Sequence, residues 1–450
     1  MSGILNTSSL FSGQGIDVTS VVSQLVSAAR APEVAWQNQQ QTLQTQEGSL
    51  NQLNSELSAL QTAVQSLKDA NGGLGAVNTS SSNPNIATIS AAAGTPTGNH
   101  TVVVNNLATT SSYYSAPVAS ASTTLANGSF TLQVGSGAPT TITIDSTDNT
   151  LAGLASQING MNLGVTANVI TDASGARLSL VAQNSGTPGD LTISADTTGL
   201  GFTKVPGVNA SLTVDGVPVS SASNSVSGVI PGVTLNLTGA DSGTTVSLGI
   251  TSNTDSAAQA INNFVNAYNS LIADLNSQFT YNAATQSSGP LSGDGTARMV
   301  EEQILGFAGY SVSGAGNIQT LRSLGINMND DGTLTVDSAA LNNALSSDYQ
   351  DVQNFFQSGT GFATYLDGQL SQLTDPTEGA FYLDLKGAQS TVQSLQDQID
   401  GFETYIATQQ QQWTDQYNQI NVLLQEFPLL QQQTDAELGL PLQNSANGHV

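Results

Sequence analysis

The chain has 450 residues, enough for about three domains at roughly 150 residues each. It carries 7 Lys and Arg against 33 Asp and Glu, a formal charge of −26, although only 9% of residues are charged. Such a balance repels phosphate backbones, which excludes nucleic acid as a partner, and it disfavours docking on an anionic membrane. With no cysteine, disulfides, zinc–thiolate sites and thiol nucleophiles are excluded as well. No segment is apolar enough for membrane insertion, and no basic residue precedes Arg30. Neither a spanning helix nor a cleavable signal peptide is expected, so export would follow a route that removes no leader.

Residues 1–15 have Ser and Gly punctuation without a sustained period and read as irregular or disordered. Asp17 is placed to cap a helix carrying Val18, Val21, Val22, Leu25 and Ala29, which Pro32 should end. Leu50, Leu53, Leu57, Leu60, Val64 and Leu67 then alternate steps of three and four, a heptad seam that Leu43 extends and Asn71-Gly72-Gly73 stops.

From Gly72 to Asp255 the chain is rich in Gly, Ser, Thr, Val and Asn, and no Glu occurs between Glu56 and Glu301. That composition suits strands and turns. Apolar residues alternate at Phe130, Leu132 and Val134, at Ile142 and Ile144, at Val233, Leu235 and Leu237, and at Val246, Leu248 and Ile250. Asp215-Gly216 between alternating runs is the strongest hairpin signal. A short helix is expected over 151–158, and the stretch 115–205 reads as a separate module inserted into the surrounding β domain.

Asp255 is expected to cap a helix whose stripe is Ile261, Phe264, Val265, Tyr268, Leu271, Ile272 and Leu275. Shorter helices are expected at 294–307, 338–346 and 362–373. The last seam runs Val392, Leu395, Ile399, Phe402, Ile406, Gln409, Trp413, Gln416, Ile420, Leu423 and Phe427, about 50 Å of helix. Its flanks are Gln and Thr rather than charge pairs, so charges fix neither partner nor register. Phe402 and Trp413 are too bulky for a plain two-stranded seam, which points to a bundle joining both ends of the chain.

The fold class expected is therefore α+β and multidomain: a terminal helical coiled-coil or bundle leg carrying nested antiparallel β head domains. The division is a first irregular-to-helical segment 1–42, a leg helix 43–75, a β head from 76–114 and 206–252, the inserted module 115–205, a helical bundle 253–427 and a flexible tail 428–450. One intrachain leg seam should join Leu50, Leu53, Leu57, Leu60, Val64 and Leu67 to Val392, Leu395, Ile399, Phe402, Ile406 and Trp413. Beyond the bundle, Val18, Val21, Val22 and Leu25 at one end and Ile420, Leu423, Leu424 and Phe427 at the other would be left as apolar stripes. Such stripes mark self-assembly contacts.

Catalytic chemistry is hard to find. The histidines are His100 and His449, with no nucleophile elbow beside them; there is no phosphate-binding loop, and Gly314-Ala315-Gly316 lacks the third glycine of a dinucleotide fingerprint. Residues 327–333 imitate the front of a calcium loop, but its twelfth position is Ser338, and an Asp331-Gly332 hairpin explains the same residues. The absence of Glu from the β region argues against a glycosidase. Tyr113-Tyr114 could stack on a sugar, though a strand-edge pair is the simpler reading.

Several motifs together resemble a known family. Gly13-Gln14-Gly15-Ile16-Asp17-Val18, then Val21-Val22-Ser23-Gln24-Leu25-Val26 and Ala31-Pro32, are similar to the opening of the flagellar filament cap (hook-associated protein 2) family. Thr150-Leu151-Ala152-Gly153-Leu154 through Gly175-Ala176-Arg177-Leu178 resembles a module shared with flagellins. Ile230-Pro231-Gly232-Val233-Thr234-Leu235, Phe264-Val265-Asn266-Ala267-Tyr268-Asn269 and Leu324-Gly325-Ile326 resemble the family's C-terminal half. The resemblance implies a secreted, non-enzymatic cap without cofactors at the distal filament tip. It would be a homo-oligomeric, pentameric ring that retains exported flagellin and helps it fold and insert. Implied partners are further copies, flagellin, hook–filament junction proteins and an export chaperone; the apolar ends would contact the filament. An alternative is a tip adhesin whose outer module binds host mucin or glycans. One departure is Phe427-Pro428-Leu429-Leu430, where Pro428 should break or kink the last helix.

Overall fold

A computed structural model describes residues 16–439 apart from 148, 284 and 285. The chain enters through helix α1 (Val18–Ala29), where Asp17 accepts a hydrogen bond from the Ser20 amide at 3.1 Å. Helix α2 (Ala31–Lys68) follows after a single residue, with Pro32 in its first turn, where a missing N–H costs nothing. Pro32 thus ends one helix and starts the next, and α2 runs unbroken across the expected boundary at residue 42.

Between Gly73 and Asn253 the chain is antiparallel sheet. The strands Val77–Ser81, Asp241–Ser252, Gly98–Asn106, Ala210–Val214 and Val217–Ser221 form one sheet in that order. Ser225–Ser227, Val233–Leu237 and Ala87–Ala91 form a second. Alternation puts Val102, Val104, Leu212, Val246, Leu248 and Ile250 into one core with Ile89, Leu235 and Leu237. Val214 and Val217 flank the Asp215-Gly216 turn, as the dipeptide predicts.

A second β unit is inserted between Gly98–Asn106 and Ala210–Val214, with its own core of Phe130, Leu132, Ile142, Ile144, Leu178, Leu180 and the helix α3 (Leu151–Gly160). Here the expected boundary at 115 is moved. Thr110–Tyr114 pairs with Gly175–Ser185 inside this unit, and the neck is closed by a bridge between Thr109 and Val208. Ionic ties within the unit run from Lys204 to Asp190 (2.8 Å) and from Arg177 to Asp172 (3.9 Å).

The first and last strands of the head, Val77–Ser81 and Asp241–Ser252, lie side by side and return the chain to the helices together. At this neck the Asn253 amide donates to the Ala76 carbonyl at 2.9 Å, while Tyr349 Oη and Gln353 Nε2 both donate to the Leu74 carbonyl at 2.9 Å. A Cβ on Gly75 would run into the Ala70 carbonyl, so the turn requires glycine there.

The helical region continues with α4 (Thr254–Phe279), α5 (Gly295–Phe307), α6 (Ser338–Ser347), α7 (Tyr349–Gln357), α8 (Phe362–Leu373) and α9 (Ala380–Glu437). Asn253, not Asp255, caps α4 by accepting from the Ser256 amide at 2.9 Å; Asp255 sits in the first turn, where its charge meets the helix dipole. Asp294 and Asp337 cap α5 and α6. Helix α7, which no expectation covered, buries Val352, Phe355 and Phe356. Helix α9 passes through Pro428 to Glu437, so the expected break and the start of the flexible tail at 428 are corrected, while residues 440–450 of that tail lie outside the described residues. The lost hydrogen bond is tolerated in an exposed turn, where water can serve the orphaned carbonyl.

Candidate assembly surface

Helix α9 runs antiparallel to α1 and α2. Gln40 Nε2 donates to Gln396 Oε1 at 2.9 Å, and the Trp36 ring meets the Phe402 ring edge-on at 5.3 Å. Arg30, at the break between α1 and α2, places Nη1 2.8 Å from Glu33 Oε2 and 2.9 Å from Glu403 Oε1. Gln37 Nε2 donates to the other Glu33 oxygen at 3.0 Å. The hydrogen bond to Glu403 pushes the Arg30 pKa up, and the same bond holds the Glu403 carboxyl below its ordinary range. Sequence reading missed this clamp. An arginine at a helix break with a glutamate three residues on was its only local signal.

The antiparallel register divides the expected seam. Residues 30–40 of α2 lie opposite 396–403 of α9, so Leu53, Leu57, Leu60, Val64 and Leu67 cannot meet Leu395, Ile399 and Ile406. Leu50, Leu53, Leu57, Leu60, Val64 and Leu67 are all buried, in the core built with Ile261, Phe264, Leu271 and Leu370. Leu395, Ile399 and Ile406 are buried outside that core, and Val392, Phe402 and Trp413 are half-buried. The single seam is therefore corrected to two contacts, one inside the bundle and one along the leg.

Toward the chain ends, α1 lies on α9: Val22 is buried, and Val18, Val21 and Leu25 are half-buried. The Ile16 amide donates to Asn421 Oδ1 at 2.7 Å. Past Asn421 no described element covers α9. Leu424 is half-buried, but Ile420 is 42% exposed, Leu423 65% and Phe427 60%, joined by Val422, Leu429 and Leu430 at 55% or more. Ile420, Leu423, Leu424, Phe427 and Leu430 share one face of this helix end, with Val422 and Leu429 on the opposite face, and an exposed apolar stripe of this kind marks a binding site for another protein.

Elsewhere the polar motifs do structural work. His100 Nδ1 lies 2.7 Å from Asp215 Oδ2, whose other oxygen accepts from the Thr101 amide at 2.7 Å. His100 holds the Asp215 carboxyl below its ordinary range, and together they pin the hairpin turn to the neighbouring strand. Asp331 Oδ1 accepts from the Thr333 amide and hydroxyl, the pattern of the hairpin turn rather than of a calcium loop. Tyr113 is buried with its ring edge-on to Phe202, and only Tyr114 of the tyrosine pair reaches solvent. Among the described residues no group of three or more His, Cys, Asp or Glu could hold a metal, and no helix is long and apolar enough to cross a membrane. His449 lies outside the described residues.

Comparison with known proteins gives the same architecture a lineage. Residues 14–111 match the model of the flagellar hook-associated protein 2 N-terminus, and 207–427 match that of its C-terminus. Between them, 129–184 match the flagellin hook IN motif, within the inserted unit. The chain is 29% identical to B-type flagellar hook-associated protein 2 of Pseudomonas aeruginosa, covering 94% of this chain and 96% of that one. It is 27% identical to flagellar hook-associated protein 2 of Escherichia coli K12, covering 93% and 95%. A crystal structure of three domains of the flagellar cap protein from Escherichia coli superposes with a TM-score of 0.62 at 29% identity, over 76% of this chain and 99% of that one. With both terminal models of one family matched in order and the fold shared, the chain belongs to the flagellar hook-associated protein 2 family.

Proposed function

We propose that this protein is a structural subunit of a cap at the distal tip of a bacterial flagellar filament, and not an enzyme. The observation that carries the reading is the exposed apolar end of α9 beyond Asn421, which no described element covers, presented at the tip of a long leg with the β units at its far end. Copies of the chain assemble into a ring through such legs and rest on flagellin. The ring keeps exported flagellin from diffusing away while it folds and inserts. Junction proteins between hook and filament and an export chaperone are the further partners of this reading, and the protein reaches its site by secretion. Burial of Tyr113 leaves the outer unit without a paired aromatic platform, so adhesion to glycans is not part of it.

The test is genetic. Cells lacking the gene should lose filaments and shed flagellin into the medium, and the full-length protein should restore both. A triple variant Ile420→Ser, Leu423→Ser, Phe427→Ser should be exported and folded yet leave flagellin in the medium. Full restoration by that variant would remove the apolar end from the mechanism.

A further inference from the structure

Sheet edges are templates for further strands, and this chain closes several of its own. In the inserted unit, Gln157 Nε2 donates to the Thr143 carbonyl of the edge strand Thr140–Ile144 at 3.3 Å. Tyr113 Oη accepts from the Ile193 amide of the edge strand Leu191–Ser194 at 3.4 Å. The edge strand Thr203–Val205 is only 3 residues long and carries Lys204, and Pro218 sits in the edge strand Val217–Ser221 of the surrounding unit. Strand Val165–Asp172 is different. It is the last strand of its sheet, beside Gly175–Ser185, and runs for 8 residues without Pro or Lys.

Asn159, near the end of α3, closes part of this edge. Its Nδ2 donates to the Ala167 carbonyl and its Oδ1 accepts from the Ala167 amide, both at 2.8 Å, so one side chain stands in for a residue of a neighbouring strand. Both main-chain groups of Ala167 therefore point away from the sheet. Along an antiparallel ladder this direction alternates, so those of Val169 and Thr171 point outward as well, while Asn168, Ile170 and Asp172 face Ser179, Arg177 and Gly175. Among the described residues, no group bonds the outward amides and carbonyls of Val169 and Thr171. A turn at 173–174 ends the strand. What remains is a short open edge, 168–172, centred on Ile170, whose side chain is 55% exposed.

An edge of this kind accepts an extended backbone, and the charge pattern indicates whose. From Asn149 to Thr171, through α3 and most of this strand, there is no charged residue, in a chain of formal charge −26. Two copies that repel elsewhere can meet along this neutral strip. We propose that the inserted units of two copies pair edge to edge through 168–172, antiparallel about a two-fold axis at Ile170. Val169 of each copy then exchanges main-chain hydrogen bonds with Thr171 of the other. Ile170 faces its own counterpart in the closer kind of pair, with Cα atoms about 4.5 Å apart, and both side chains leave water together. Asn168 falls opposite Asp172, so no carboxylate faces another. Asn159 blocks any slip toward Ala167, which fixes the register. The contact lies apart from the apolar end of α9 and does not depend on it.

The chain has no cysteine, so a single introduced one reports this geometry. Ile170→Cys places a thiol opposite itself at a separation that a disulfide spans. Mild oxidation of the full chain should link copies in pairs, seen as a doubling of mass on a non-reducing gel. Thr166→Cys, also exposed and on the same face of the strand, should stay single, because its opposite number falls beyond the turn. Thr171→Pro removes one outward N–H and leaves the ladder to Gly175–Ser185 in place; added to Ile170→Cys it should abolish the link, whereas Thr171→Val should keep it. Equal linking at 166 and 170 would mean random collision and would overturn the proposal, as would no linking at 170. If Thr171→Pro does not fold, amide exchange of the unaltered chain decides. Protection at Val169 and Thr171 should rise with protein concentration, and protection independent of concentration counts against the pairing.

Discussion

Arg30 and Glu403, separated by 373 residues in the chain, are joined by a two-point contact: Nη1 to Oε1 at 2.9 Å and Nη2 to Oε2 at 3.3 Å. The contact fixes where the bend between α1 and α2 sits on α9, and Glu33 takes the remaining strength of the same guanidinium. Both tryptophans of the chain, Trp36 and Trp413, lie along this leg, so its fluorescence reports on the leg rather than on the β units.

Glu403→Gln should loosen α1 from α9 without unfolding the bundle. The check is tryptophan emission together with amide exchange over 16–40, both shifting while the melting transition of the β units stays. Acid should do the same in the wild type. Because the folded pKa of Glu403 lies below its ordinary value of about 4.3, its contribution is complete above that value and is lost as pH falls through the lower folded pKa. Emission should therefore stay flat from neutral pH down to about 5 and change only below about 4.

Leu57 and Leu423 make a contrasting pair. Leu57 is fully buried in the bundle, and Leu57→Ala should cost about 2–5 kcal/mol in denaturant unfolding. Leu423 is 65% exposed, so Leu423→Ala should change stability by less than about 0.5 kcal/mol. If filament retention follows Leu423 and not Leu57 at permissive temperature, the helix end is a contact surface and not a cryptic core.

Lys68 Nζ lies 2.6 Å from Asp367 Oδ2 and ties α2 to α8. Burial opposes ionisation of Asp367, but the bonds from Lys68 and Gln65 outweigh it and hold the carboxyl below its ordinary range. A Lys68→Met/Asp367→Asn double-mutant cycle should return a coupling of about 1 kcal/mol at pH 7. The coupling should fade as pH drops through the depressed pKa, that is, below about 3.9.

Pro428→Ala restores an N–H and removes the ring that crowds the Leu424 carbonyl. It should strengthen the end of α9, with up to about 3 kcal/mol of local stabilisation. Greater amide protection across 424–437 and added helical signal in circular dichroism are the expected readings; unchanged protection would mean that the turn is already fully stabilised.

Periodicity made the helices legible, because steps of three and four in Leu50–Leu67 or Ile261–Leu275 can only gather on one face of a helix. It could not say which faces meet. A seam flanked by Gln carries no register information, and the antiparallel shift that sets Arg30 opposite Glu403 is a property of the assembled bundle. Asn253 and Asp255 are both good caps two residues apart, and only geometry chooses between them. Helix α7 escaped notice because nine residues with one Val and two Phe make too short a pattern. Thr110–Tyr114 is a run of only Thr, Ser and Tyr without aliphatic alternation, so nothing local told which sheet it joins. Of the candidate surface, the apolar residues 420–427 were readable as a continuation of the heptads, whereas their exposure needed the partner helix to end.

The pairing of the few positive groups has a further effect. Arg30, Lys68, Arg177 and Lys204 are each held by a carboxylate of their own molecule, out of only 7 Lys and Arg. Two copies approaching one another have little cationic surface left to offer, and each carries 33 acidic side chains. Their union must be sealed by oily and amide contacts against a long-range repulsion, so added electrolyte should tighten it rather than dissolve it.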